Sequence, residues 1–194
     1  MAGAAVDVKT FDDLFKKPTI AGMYALNPKQ FEGFVRFVFE RGGYTVRDVS
    51  TQYGRGLDLE LYTNAASAQP VAAIQVKRND ADNPVTTPTI LNFLGALTNA
   101  GGIPGYLITT SSFNTPARQQ ASVLRQIRLI DGERLVRFVK YLRGSRHRGA
   151  PGTPISPDIL LEDESVDLRH TSTTKVLALA NNKGGVGKTT TALN

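Results

Sequence analysis

The chain has 194 residues, 41% hydrophobic and 21% charged, enough for one ordinary domain with a buried core plus an appendage. It has no cysteine and two histidines, His147 and His170, both in polar stretches. Disulfide scaffolds, thiolate zinc sites and cysteine nucleophiles are therefore excluded, a histidine triad is poorly served, and carboxylates and lysines must carry any chemistry. The net charge is +6, and no apolar run approaches the ~18 residues that cross a bilayer. The first residues turn polar before any apolar stretch of signal-peptide length, so the expected location is the cytoplasm, with no membrane partner.

Residues 1–25 read as an N-terminal arm or short helix around the amphipathic piece Phe11 to Phe15. The next helix announces itself. Asn27 is an N-cap residue, Pro28 occupies the first helical position and Gln30 is placed to reach back to the cap. Phe31, Phe34, Val35, Val38 and Phe39 then recur at helical spacing until Gly42 and Gly43 stop the helix. Strand-like runs follow at 44–49, 57–62 and 71–77. In the second, alternation sends Leu57, Leu59 and Leu61 to one face, and Asp58 and Glu60 to the other. The small polar residues from Thr63 to Pro70 suit a hairpin turn between the second and third runs.

A polar loop at 79–88 leads to a helix over about 89–100, a buried strand at 105–109 and a helix from Thr115 to about Gln126. A short strand at 128–130, a turn at Asp131 and Gly132, and a helix to about Leu142 complete the unit. Helix, strand meander, then alternating helix and strand predict an α/β fold, a central mixed β-sheet flanked by helices. From Arg118 to Arg148 there are nine Lys or Arg against two acids, a surface suited to a polyanion such as DNA. From Asp158 to Asp167 the sign reverses, with five acids and no base. Residues 143–173 thus read as a linker, basic and then acidic.

Beyond the linker, Lys175 to Ala180 reads as a buried strand running into Lys183-Gly184-Gly185-Val186-Gly187-Lys188-Thr189-Thr190. A strand, a glycine-rich turn and a helix start are the context of a phosphate loop. Backbone amides would cradle phosphates, Lys188 would supply charge and Thr189 would meet magnesium. Asn182 stands where the classical first glycine belongs, whereas the deviant form with an extra lysine, here Lys183, fits throughout. This segment resembles the ParA and MinD ATPases. Residues 174–194 would be the truncated start of such a domain, so ATP would bind only in a longer protein.

The chemistry of the central unit is concentrated on one strand. Residues two apart share a face of a pleated strand, so Gln75 and Lys77 point together while Ile74 and Val76 face the core. If the run at 57–62 pairs with this strand, Asp58 lies near the same edge. Phosphodiester hydrolysis needs a divalent cation on oxygen ligands, an activated water and a fixed positive charge. Asp58 would ligate the cation, with the Gln75 side chain and the Val76 carbonyl as further ligands and Lys77 acting on the water. Glu32 could bind through water or hold Lys77.

These residues lie in a longer series: Gln30-Phe31-Glu32, Gly43-Tyr44-Thr45-Val46, Gly56-Leu57-Asp58, Gln75-Val76-Lys77-Arg78, Leu107-Ile108-Thr109-Thr110, Ala117, and Leu129-Ile130-Asp131-Gly132. In order and approximate spacing the series resembles the Mrr-like family of restriction-endonuclease-like nucleases. The resemblance implies a restriction-endonuclease-like three-layer fold over 26–142 and a site using magnesium or manganese. It also implies cleavage of double-stranded DNA in restriction or defence. By matching position it implies Glu32, Asp58, Gln75 and Lys77 as catalytic residues. Glutamine at the first position of the strand motif is usual in that family. Arg78, Arg118, Arg125, Arg134 and Arg137 are the expected DNA contacts, and a double-strand cut suggests a homodimer. The competing reading is a non-catalytic DNA-binding adaptor serving a ParA-like partition ATPase.

Overall fold

The computed structural model describes residues 8–52, 56–144 and 153–159. The phosphate-loop segment, the strand expected before it and both histidines lie outside these residues. The elements run α1 (Val8–Lys16), α2 (Ile20–Tyr24), α3 (Pro28–Arg41), β1 (Thr45–Asp48), β2 (Leu59–Tyr62), β3 (Ala72–Lys77) and α4 (Thr87–Asn99). They continue with β4 (Gly105–Thr109), α5 (Thr115–Val123), β5 (Ile127–Ile130) and α6 (Gly132–Gly144). No helix among the described residues is long and apolar enough to cross a membrane.

The five strands lie in sequence order. β1, β2 and β3 pair antiparallel, whereas β3, β4 and β5 pair parallel, giving the expected mixed sheet. The two parallel connections carry α4 and α5 to one face, as right-handed crossovers between strands laid down in a single direction require. After β5 the chain turns back, and α6 joins α3 on the other face. Two apolar layers result. One packs α3 and α6 residues such as Phe31, Phe34, Phe39 and Phe138 on Leu59, Ile74 and Ile108. The other packs α4 and α5 residues such as Ile90, Phe93, Leu97 and Ala117 on Ala73, Leu107 and Leu129.

The start of α3 follows its sequence signals. The Asn27 side chain accepts from the Gln30 backbone N–H, and the Gln30 side chain accepts from the Asn27 N–H. Gly43 then adopts φ 94, a left-handed conformation that lets the chain leave the helix for β1 without a Cβ clash. Within the segment read as an arm, residues 8–24 carry α1, which packs on α3, and α2, which packs on α6. Phe11 packs on Phe34 and Phe37, Phe15 packs on Phe37, and Arg41 lies over Phe37 while pairing with Asp12 at 2.7 Å. Within the expected linker, residues 153–159 also lie on the domain. Ile155 N–H donates to Gly42 O, and the Tyr106 hydroxyl lies 3.0 Å from Ser156 Oγ and donates to Asp158 at 3.2 Å.

One sequence expectation fails in an informative way. Leu57 does not share a face with Leu59 and Leu61: it lies in the α4–α5 layer, and they lie in the α3–α6 layer. Leu59 is the register partner of Ile74, yet the Asp58 N–H also donates to the Ile74 carbonyl, at 2.9 Å. Two residues of one strand therefore oppose one residue of the other. This is a bulge, and it resets the alternation at Asp58.

Candidate active site

The bulge leaves Val76 without a backbone partner on β2, and the Asp58 side chain supplies one. Its Oδ2 accepts the Val76 N–H at 2.6 Å. Ala73 and Lys77 direct their backbone groups to the β4 side, through Ala73 N–H to Pro104 O and Thr110 N–H to Lys77 O. By alternation the Val76 N–H and carbonyl both face β2, where the ladder has opened. The structure thus brings Asp58, the Val76 backbone, Gln75 and Lys77 to one place at the carboxyl end of β3. Gln75 is buried, and its Oε1 finds no hydrogen-bond partner.

Asp58 is half-buried, and burial is the largest influence on its carboxyl, pushing it above its ordinary value. The Val76 N–H, then the positive charges of Lys77 and Lys29, pull it back, while Asp48 pushes it up further. Glu32, on α3, reaches this neighbourhood through a different partner from the one expected. Its Oε1 accepts from Lys29 Nζ at 2.6 Å, and Lys29 also reaches Asp48 at 3.4 Å. The Glu32 hydrogen bond is the main reason the Lys29 ammonium is held above its usual value. Asp48 is held low, first by the Ser50 hydroxyl. Lys29 and Asp48 are thus part of the site's electrostatics, although neither was picked out in the sequence. Lys29 lay in the first turn of a helix and Asp48 near the end of a strand-like run, with nothing in the linear pattern to pair them.

Among the described residues no group of three or more His, Cys, Asp and Glu gathers closely enough to hold a metal ion. A cation at Asp58 would have one carboxylate, amide and carbonyl oxygens, and water. Such a hard, partly hydrated set fits magnesium, and the orphaned Gln75 Oε1 is a ready oxygen donor for it.

The expected DNA contacts divide. Arg78 is held inside the protein, donating to the Leu26 and Tyr24 carbonyls and to Asp80. Its guanidinium ties the α2–α3 turn to the end of β3. Arg118, Arg125 and Arg134 border one cleft beside β5, and Arg137 is exposed on α6. Arg128, not among the expected contacts, lines the same cleft.

A restriction-endonuclease family model, that of the Mrr catalytic domain, matches residues 23–139. The chain belongs to this family. The type IV methyl-directed restriction enzyme EcoKMrr of Escherichia coli (strain K12) is 29% identical over 137 residues, covering 68% of this chain and 44% of that enzyme. The chain thus spans less than half the length of its curated Mrr relative. Among solved structures, MspJI restriction endonuclease in complex with a 27-mer oligonucleotide is similar at 19% identity and TM-score 0.45, covering 84% of this chain and 43% of its own. The DNA modification-dependent restriction endonuclease AspBHI is similar at 19% identity and TM-score 0.46, with 86% and 45% covered.

Proposed function

We propose that this Mrr-family chain is the nuclease part of a magnesium-dependent DNA endonuclease, or one that also accepts manganese, acting in restriction of foreign DNA in the cytoplasm. The observation that carries the reading is the buried, unpartnered Gln75 Oε1, one pleat from Lys77 and on the residue before Val76, whose N–H the Asp58 carboxylate accepts. Asp58, Gln75 Oε1 and the Val76 carbonyl would hold the cation, with Glu32 reaching it through water. A bound divalent cation neutralises the scissile phosphate and acidifies a water. The Val76 N–H, Lys77 and Lys29 favour the charged form of Asp58 against the burial that raises its carboxyl. The Lys77 ammonium, at the end of β3, orients the attacking water and offsets charge developing on the phosphate. Glu32 is held in place by the hydrogen bond from Lys29.

In domain terms, residues 26–142 form the nuclease with 1–25 as an N-terminal extension, and 143–173 link it to the start of a ParA-like ATPase domain at 174–194. Lys183, Gly184, Gly185, Gly187, Lys188, Thr189 and Thr190 would bind ATP phosphates in such a domain. A homodimer would supply two active sites for a double-strand cut.

Nicking of supercoiled plasmid, unmodified and methylated, tests the reading in magnesium with the wild type, Asp58→Ala and Lys77→Ala. Each substitution should lower the rate by about 10²–10³-fold, the range for losing one charge-stabilising group. Cleavage that survives both substitutions would refute this site. Salt-sensitive DNA binding without any cleavage would instead indicate the adaptor.

A further inference from the structure

A cleft of about 430 Å³ lies beside edge strand β5, bordered by α5 and the first turn of α6. Arg118, Arg125, Arg128 and Arg134 line it, with no carboxylate among the lining residues. Three of the four are aimed by backbone carbonyls. Arg118 donates to Phe113 O at 3.0 Å, Arg134 donates to Leu129 O at 3.0 Å, and Arg128 donates to the Arg125 carbonyl. Guanidinium groups oriented in advance lose little freedom on meeting an anion, and their planar donors match phosphate oxygens. Two acids stand at the rim. Asp131 lies 3.5 Å from Arg118 and Asp158 lies 3.6 Å from Arg128, which leaves positive charge in excess.

The cleft is joined to the catalytic edge. Arg118 also borders a neighbouring cleft of about 260 Å³ with Thr110 and Ser111, and the Thr110 N–H donates to the Lys77 carbonyl. Crossing two strand spacings from β3 to β5 covers about 10 Å, roughly three base-pair steps along a duplex.

We infer that the four-arginine cleft is a second, non-catalytic phosphate site that grips the backbone of duplex DNA to one side of the cut, and that Asp158 is an intrachain anion the DNA displaces from Arg128. The inference rests on the nuclease reading for its ligand, and on the cleft itself for its location. It assigns a role to residues 153–159. By docking through Ile155 and Ser156 they carry Asp158 to the rim, so the occupancy of this short segment sets how freely Arg128 meets DNA.

The test uses the full chain with calcium in place of magnesium, and reads fluorescence anisotropy of a labelled duplex of about 20 base pairs across a salt series. Arg125→Gln with Arg128→Gln should weaken binding roughly tenfold at ~0.1 M salt and reduce the slope of log affinity against log salt by close to 2. Asp158→Asn should tighten binding several-fold. Circular dichroism checks folding. If the double variant melts early, Arg125→Gln alone should reduce the slope by about 1. A folded variant with wild-type slope and affinity overturns the inference, as does an Asp158→Asn chain that binds no better. Cleavage is not read, so a catalytically silent chain can still show the slope change. An active nuclease with an unchanged slope overturns the cleft alone.

Discussion

The two faces of the sheet are packed differently. On the α3–α6 face Phe39 alone meets the rings of Tyr44, Tyr106 and Phe138, and Phe11 and Phe15 extend the stack outward through Phe34 and Phe37. On the α4–α5 face alanines at 73, 96, 117 and 121 separate the larger side chains. The unsatisfied amide oxygen of Gln75 belongs to this thinner side, since Gln75 follows the alternation of Ala73 and its strand partner Leu107 lies in that layer. One face supplies the stability that lets the other hold a buried polar atom ready for a ligand.

The aromatic packing of the α3–α6 face depends most on Phe39. Phe39→Ala should cost about 3–5 kcal/mol and lower the midpoint of thermal unfolding steeply, because a fully buried ring leaves a cavity among packed neighbours. A loss under about 1 kcal/mol would show that this face is not the stabilising one. Arg78→Ala tests the tie between the α2–α3 turn and the end of β3. It removes charge-assisted hydrogen bonds to two backbone carbonyls, an effect of about 1.5–3 kcal/mol readable by urea unfolding.

Gln75→Leu sharpens the contrast by reversing its sign. Replacing a buried amide whose oxygen is unsatisfied with an apolar side chain of similar volume should stabilise the metal-free protein by about 1 kcal/mol and abolish the rise in melting temperature on adding magnesium. A destabilised Gln75→Leu chain would show that the amide is structurally required.

The smallest effect is a pH dependence at Asp58. Burial raises this carboxyl above its ordinary value of 3.8, so the folded state holds the proton to higher pH than the unfolded chain. Its contribution to stability is full below that ordinary value and lost as pH rises through the folded value. Asp58→Asn keeps an acceptor for Val76 and removes the buried charge. In chelator it should melt above the wild type at pH 7, and the advantage should fade as pH falls toward 4. A constant difference across that range would rule out desolvation as its cause.

Much of this was legible beforehand because the signals were local. Asn27, Pro28 and Gln30 specify a helix start by their own side chains, and Gln75 and Lys77 share a face through pleating alone. The displacement of Leu57 was not legible, since a bulge depends on how two strands register and no residue in 57–62 marks it. Lys29 and Asp48 were hidden for a related reason: they are 19 residues apart and meet only once α3 packs near the end of β1. The structural tie made by Arg78 was hidden likewise, because its charge is visible in the sequence and its backbone acceptors, more than 50 residues earlier, are not.

Arg78 also limits how this domain could be made portable. A minimal unit beginning at residue 26 would lack the Tyr24 carbonyl that Arg78 grips, and would uncover Phe34 and Phe37 where α1 now rests on them. The residue that follows Lys77 would be left with one fewer anchor. Transplanting the folded domain to another protein therefore requires the two short N-terminal helices to travel with it.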